Sequence, residues 1–158
     1  MNRDQIILKL QNYFSIYELV GRRTYKKYGN DSWQFLETNA LHCLLIIREG
    51  INESCTINDW KWGGKFSQRG LRTNLQQLFR FFFRKSILYL SGHVLGCAFD
   101  LVFKNTSAIE VRKWIVKNAH LFPCKIRLER NKNGKPITWT HFDTKHLKRN
   151  PKVYLFDV

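Results

Sequence analysis

Residues 91–100 read Ser-Gly-His-Val-Leu-Gly-Cys-Ala-Phe-Asp, and no other stretch constrains the fold of this chain as much. The pattern is S-x-H-x-x-G-x-A-x-D. His93 and Asp100 stand seven positions apart, which suits neither a helical i, i+4 pair nor one face of a regular strand. A loop that turns into a strand does suit it: Gly96 gives the turn its backbone freedom, Ala98 leaves room, and Asp100 points inward from the strand. Further on, Trp139-Thr140-His141-Phe142-Asp143 supplies a second imidazole and a second carboxylate. Two imidazoles and a carboxylate form a set that zinc favours, with a fourth position left for water. His93, Asp100 and His141 are therefore the candidate ligands of one metal ion per chain. Asp143, two residues along the same strand face, is placed to hold a ligand histidine in its correct tautomer. Manganese or iron tolerates the same donors. Cys97 lies between two of the ligands, where apolar packing competes with ligation.

The rest of the chain frames this site. Its 158 residues suit one domain, 1–158, with a helical part over 1–54 and the metal-site core over 55–158. Apolar residues at helical spacing in 13–20 and a buried pattern over 38–49, closed by Gly50, predict helices. Residues 55–60 have strand composition, and a helix is expected from Phe66 into Leu75, Leu78 and Phe79. Residues 98–103 alternate as a strand. Ser107 and Glu110 form a capping box for a helix over about 108–119, with Ile109, Trp114 and Ile115 facing inward. Residues 124–130 and 135–143 read as a hairpin turning at Asn133-Gly134, and residues 152–156 as a last strand.

Lys and Arg number 27 against 12 Asp and Glu, a formal charge of +15, which calls for an anionic partner or surface. Basic residues interleave with aromatics in residues 22–28, which can serve single-stranded nucleic acid but read better as Lys and Arg snorkelling around a tyrosine anchor. The same mixture in residues 79–85 suits either a membrane-touching loop or a helix end with its phenylalanines in the core. No segment is long and apolar enough for a membrane span. The first eleven residues lack the core of a secretory signal, so synthesis as a soluble cytoplasmic product is expected. Cys43, Cys55, Cys97 and Cys124 form no C-x-x-C pair and read as reduced, mostly buried thiols. His42, His120 and His146 default to structural roles.

The motif at 91–100, with Trp139-x-His141-x-Asp143, resembles the zinc signature of the D-alanyl-D-alanine carboxypeptidase superfamily, which includes phage endolysins and the hedgehog domain. Five fixed letters at about 5% frequency each give on the order of one chance match in 10⁴ to 10⁵ for such a chain. The resemblance implies an α+β fold, a small antiparallel sheet with packed helices and zinc at one side. It implies a zinc peptidase that cuts peptidoglycan stem peptides or cross-links, as carboxypeptidase or endolysin-type endopeptidase. Such a monomer acts on the wall after release or from a virion, held to an anionic envelope by its charge, without specific nucleic-acid binding. Arg69, five before Asn74, inherits the family's oxyanion-stabilising arginine, with Arg72 as the alternative. Gln68 stands where the family has tyrosine.

Many members carry an acid three residues before the last histidine, and here that residue is Thr138. A tight Asn133-Gly134 turn sets Lys132 opposite Lys135 and Glu129 opposite Thr138; a three-residue loop sets Glu129 opposite Ile137. Glu129 is therefore assigned as general base. Two other readings stand beside the peptidase: a catalytically silent zinc module that binds wall or protein, and a basic nucleic-acid-binding domain.

Overall fold

The computed structural model describes residues 1–72, 90–145 and 151–158. The expected helix around Leu75, Leu78 and Phe79, the aromatic-basic run at 79–85, Asn74 and His146 fall outside these residues. The chain opens with three short helices, α1 (Arg3–Leu10), α2 (Ile16–Leu19) and α3 (Arg22–Tyr28). A 3₁₀ turn over Gly29–Phe35 leads into α4 (Thr38–Ile51). The first helix is started by a reciprocal pair, in which the Asn2 side chain accepts from the Gln5 N–H and the Gln5 side chain accepts from the Asn2 N–H. Helix α4 buries Ala40, Leu41, Cys43, Leu44, Leu45 and Ile47, so it is apolar nearly all round and forms the spine of the core.

Gly50 does not end α4. The helix runs on to Ile51 and is capped by Asn52 in the left-handed region, φ 52°. A Cβ on Gly50 would lie 2.1 Å from the Trp114 ring, so this glycine serves close approach between helices instead of termination.

The strands are β1 (Cys55–Thr56), β2 (Ala98–Phe103), β3 (Ile126–Lys132), β4 (Lys135–Pro136), β5 (Thr140–Asp143) and β6 (Val153–Asp157). They run in the order β1-β2-β5-β3-β4, antiparallel throughout, and β6 adds to β3 in parallel. The α+β class with a small antiparallel sheet is thus present, with one parallel strand that was not expected. Helix α5 (Ala108–Lys117) carries the Ser107–Glu110 capping box. Val111 and Ile115 are its buried apolar residues, whereas Ile109 is 49% exposed, contrary to expectation. Residues 66–72 are irregular where a helix was expected to begin, and Leu71 bridges in parallel to Val20. Cys43 and Cys124 form no disulfide, and their thiols share a hydrogen bond with Sγ atoms 3.9 Å apart.

Strand β2 sends Phe99 and Leu101 into the core, and β5 sends Phe142. Alternation therefore puts Ala98 and Asp100 of β2, with His141 and Asp143 of β5, on the opposite face. Among the described residues, no helix is long and apolar enough to cross a membrane.

Candidate metal centre

The β2–β5 register pairs Asp100 directly with His141 and Ala98 with Asp143. Cross-strand partners on one face bring their Cβ atoms within about 5 Å, so the ladder itself joins a carboxylate to an imidazole. His93 reaches them from the turn before β2. Gly96 in that turn has φ +69°, and a Cβ on it would fall 2.0 Å from the Phe35 carbonyl oxygen, so the predicted turn depends on glycine twice over.

The ligand atoms His93 Nε2, Asp100 Oδ1 and His141 Nδ1 form a triangle with sides of 2.6, 3.3 and 3.4 Å. A tetrahedral zinc site with bonds near 2.0–2.1 Å has edges of about 3.3–3.4 Å. Two sides already have that length, and the third is a hydrogen bond between Asp100 and His141 that a small opening would relax. All three residues are buried, and they are the group of metal-ligating side chains that converges among the described residues. Cys97 packs into the core and is not part of it. The donor set, its size and its burial are those of a group that could hold one metal ion.

Each ligand is oriented by a neighbour. His93 Nδ1–H donates to the Gly70 carbonyl at 3.0 Å, which leaves Nε2 facing the cluster. His141 Nε2–H donates to Asp143 Oδ2 at 3.4 Å, which turns Nδ1 inward, the role expected of Asp143. Asp143 is held in turn by a bidentate pair from Arg127, Nε and Nη2 both at 2.7 Å. Arg72 Nη2 lies 3.4 Å from the second oxygen of Asp100. The backbone closes the frame: Asp100 N–H donates to Arg69 O at 2.8 Å, and Arg72 N–H to His93 O at 3.1 Å.

Burial alone would push the Asp100 carboxyl up, yet hydrogen bonds from His141 and His93 hold it well below the usual carboxylate range. Burial drives the His93 imidazole down, partly opposed by Asp100. For His141 burial also pulls downward, but the hydrogen bonds to Asp100 and Asp143 outweigh it and raise the ring to about 9. Asp143 lies low, its burial outweighed by His141 and Arg127. The protons that His141 holds between two carboxylates occupy positions a divalent cation can take over.

Arg69 is half-buried with its guanidinium 3.4 Å from the Phe66 ring centroid, and its Nη1 is buried without a hydrogen-bond partner. Burial lowers its pKa, opposed by Asp100 and Asp59. It lines a cavity of about 330 Å3 together with Arg72, Asp100 and Trp139. Glu129 is half-buried on β3, opposite Phe156 of β6. The two-residue turn sets Lys132 opposite Lys135, as expected. Beyond it the ladder slips: Ile137 N–H still donates to Arg130 O, but Leu128 already pairs with Phe142. Four residues, 138–141, therefore lie against the single residue Glu129, an irregularity of the bulge type. Among the described residues Glu129 makes no hydrogen bond to the cluster. Thr138 is exposed.

Sequence reasoning overlooked Arg127 as the anchor of Asp143, although its placement two residues before Glu129 puts it on the same strand face. It also overlooked the Gly70 carbonyl, for which a linear pattern carries no signal. No family model, curated protein or solved structure matches this chain at a significant level.

Proposed function

We propose that this chain is a zinc-dependent peptidase that cleaves peptide bonds in peptidoglycan stem peptides or cross-links. The observation that carries the proposal is the convergence of His93, Asp100 and His141 into one buried facial set, each with an orienting partner. A structural zinc site is normally closed by four protein ligands; three, beside a cavity, leave a position for reacting groups. Zinc held there supplies Lewis-acid polarisation of a peptide carbonyl and acidification of water. Arg69, which lines the cavity that Asp100 also lines and whose buried Nη1 has no hydrogen-bond partner, donates to the negative charge developing on the scissile carbonyl oxygen. Glu129 takes the proton of the attacking water and returns it to the leaving amine. The net charge of +15 holds the protein on an anionic cell envelope.

The test is digestion of purified sacculi by zinc-loaded protein, with mass spectrometry of the released fragments and a chelator-treated control. Fragments that vanish with chelator and with Glu129→Gln are expected. Intact sacculi with one zinc per chain still bound overturn the peptidase in favour of a second reading, a silent zinc module that binds wall or protein. That reading draws on exposed Thr138, which stands where an acid is expected.

A further inference from the structure

Next to the metal centre lies a larger cavity that the cleavage chemistry leaves unused. It has a volume of about 550 Å3 between the start of α3 and residues 60–72, and Arg22, Arg23, Lys65 and Arg72 line it with no carboxylate among the described lining residues. The nearby Asp59 sits behind Gly64, where its carboxylate accepts the Phe66 N–H at 2.6 Å. Arg22, Arg23 and Lys65 are exposed at the cavity rim and engage in no ion pair among the described residues. Like charges gathered in a concavity repel one another and focus a positive field into it, a cost that a bound anion reverses.

The walls are fixed before any ligand arrives. Buried Asn58 donates to Val20 O at 3.3 Å and accepts the Arg69 N–H at 2.9 Å, tying the two sides together. Trp60 Nε1–H donates to the same Val20 carbonyl at 3.1 Å, and Gly21 N–H to Leu71 O at 3.1 Å. Lys65, Ser67, Gln68 and Arg72 line both this cavity and the one that contains Asp100. The two spaces therefore adjoin, and Arg72 stands at the join with its guanidinium on Asp100.

We propose that the Arg22–Arg23–Lys65 cavity is an anion subsite, holding a carboxylate- or phosphate-bearing part of the substrate while the bond to be cut lies in the adjoining cavity at Asp100. The substrate half of this inference rests on the peptidase reading, whereas the anion site itself does not. Planar guanidinium pairs recognise either oxyanion by bidentate hydrogen bonds.

Calorimetric titration of the zinc-loaded full chain with triglutamate and with tripolyphosphate separates the two ligand sources. One-to-one binding of at least one probe is expected. Arg22→Gln/Arg23→Gln, and independently Lys65→Gln, should weaken it by about tenfold or more, because a charge-assisted hydrogen bond to the anion is worth about one decade in affinity. Lys117→Gln, on the far helix α5, should leave it unchanged. Equal weakening by Lys117→Gln means diffuse charge attraction and overturns the subsite, as does the absence of one-to-one binding by both probes. A single-stranded oligonucleotide that binds through Arg22 and Arg23 more tightly than either probe overturns the substrate assignment in favour of nucleic acid. Sacculus digestion keeps the two proposals apart. Uncut sacculi with probe binding intact defeat the peptidase and leave the anion site standing; cut sacculi with an unchanged KM in the double variant defeat the subsite and leave the peptidase.

Discussion

On the β2–β5 face the buried charges answer one another: Asp100 lies against His93, His141 and Arg72, and Asp143 against His141 and Arg127. Across Arg72, the cations Arg22, Arg23 and Lys65 stand at the surface with no such partners among the described residues. The difference follows from dielectric. An unpaired charge in the interior costs several kcal/mol, so the β2–β5 face is tolerated only as a completed network. An unpaired charge in water costs little, so the basic cavity can wait for its counter-charge. Substitutions in the first region should therefore move folding and metal affinity together, and those in the second should move ligand affinity alone.

The largest effect is expected for His141→Ala. Removing one of the three ligands of the proposed zinc site should drop zinc from one per chain to background after dialysis, read by elemental analysis. Full zinc retention in a folded variant would break the assignment of the ligand set. Arg127→Ala attacks the same network from its outer end. It leaves Asp143, 1% exposed, with half of its counter-charge gone, and loss of a buried partner typically costs about 3–5 kcal/mol. The cation over the Phe156 ring, 4.9 Å from its centroid, goes with it. Denaturant unfolding measures the loss; a value near that of an exposed pair, below about 1 kcal/mol, would mean that this face is not the closed network described.

Asp143→Asn is milder, because an amide oxygen can still accept the His141 N–H. Substitutions of residues that orient a metal ligand cost about 10–100-fold in affinity, and that range is expected here from competition with a chromophoric chelator. If zinc affinity is unchanged while stability falls, Asp143 serves folding and not the metal.

The legibility of these regions in the sequence differs for the same physical reason. Asp100 and His141 could be named because strand alternation is a local rule and the motif spacing fixes which residue follows the turn. The capping box at Ser107 and the Asn133-Gly134 turn, with φ 51° and 74°, are likewise local. The basic cavity was not legible. Its walls meet through the Val20–Leu71 bridge and the Asn58 side chain, contacts between segments far apart in the chain that no periodicity encodes. Gly50 misled for a related reason, since the Trp114 ring that requires it arrives from another helix. The slip opposite Glu129 and the parallel pairing of β6 also come from tertiary choice among registers that turn chemistry leaves open.

Glu53 offers the smallest effect and a calibration of the contrast between buried and surface charge. At the surface after α4, its carboxylate accepts the Thr106 hydroxyl at 2.6 Å, the Thr106 N–H at 3.1 Å and the Asn105 N–H, fastening the end of β2 to the end of α4. The Thr106 hydroxyl lowers its pKa from 4.5, opposed by desolvation and helped by the backbone donors. A folded value below the unfolded one means that the carboxylate stabilises the fold at pH above 4.5, and that this contribution fades as pH falls through the folded value. Glu53→Gln should therefore melt slightly below the unsubstituted protein near neutral pH. The gap should begin to close as the solution is acidified past pH 4.5 and vanish below the folded pKa, whatever the buried cluster does, because that cluster is common to both proteins. Paired thermal melts across that window measure it. A gap that stays constant with pH would mean that Glu53 acts through its shape and not its charge, and surface carboxylates could then no longer serve as the screened reference against which the metal face is judged.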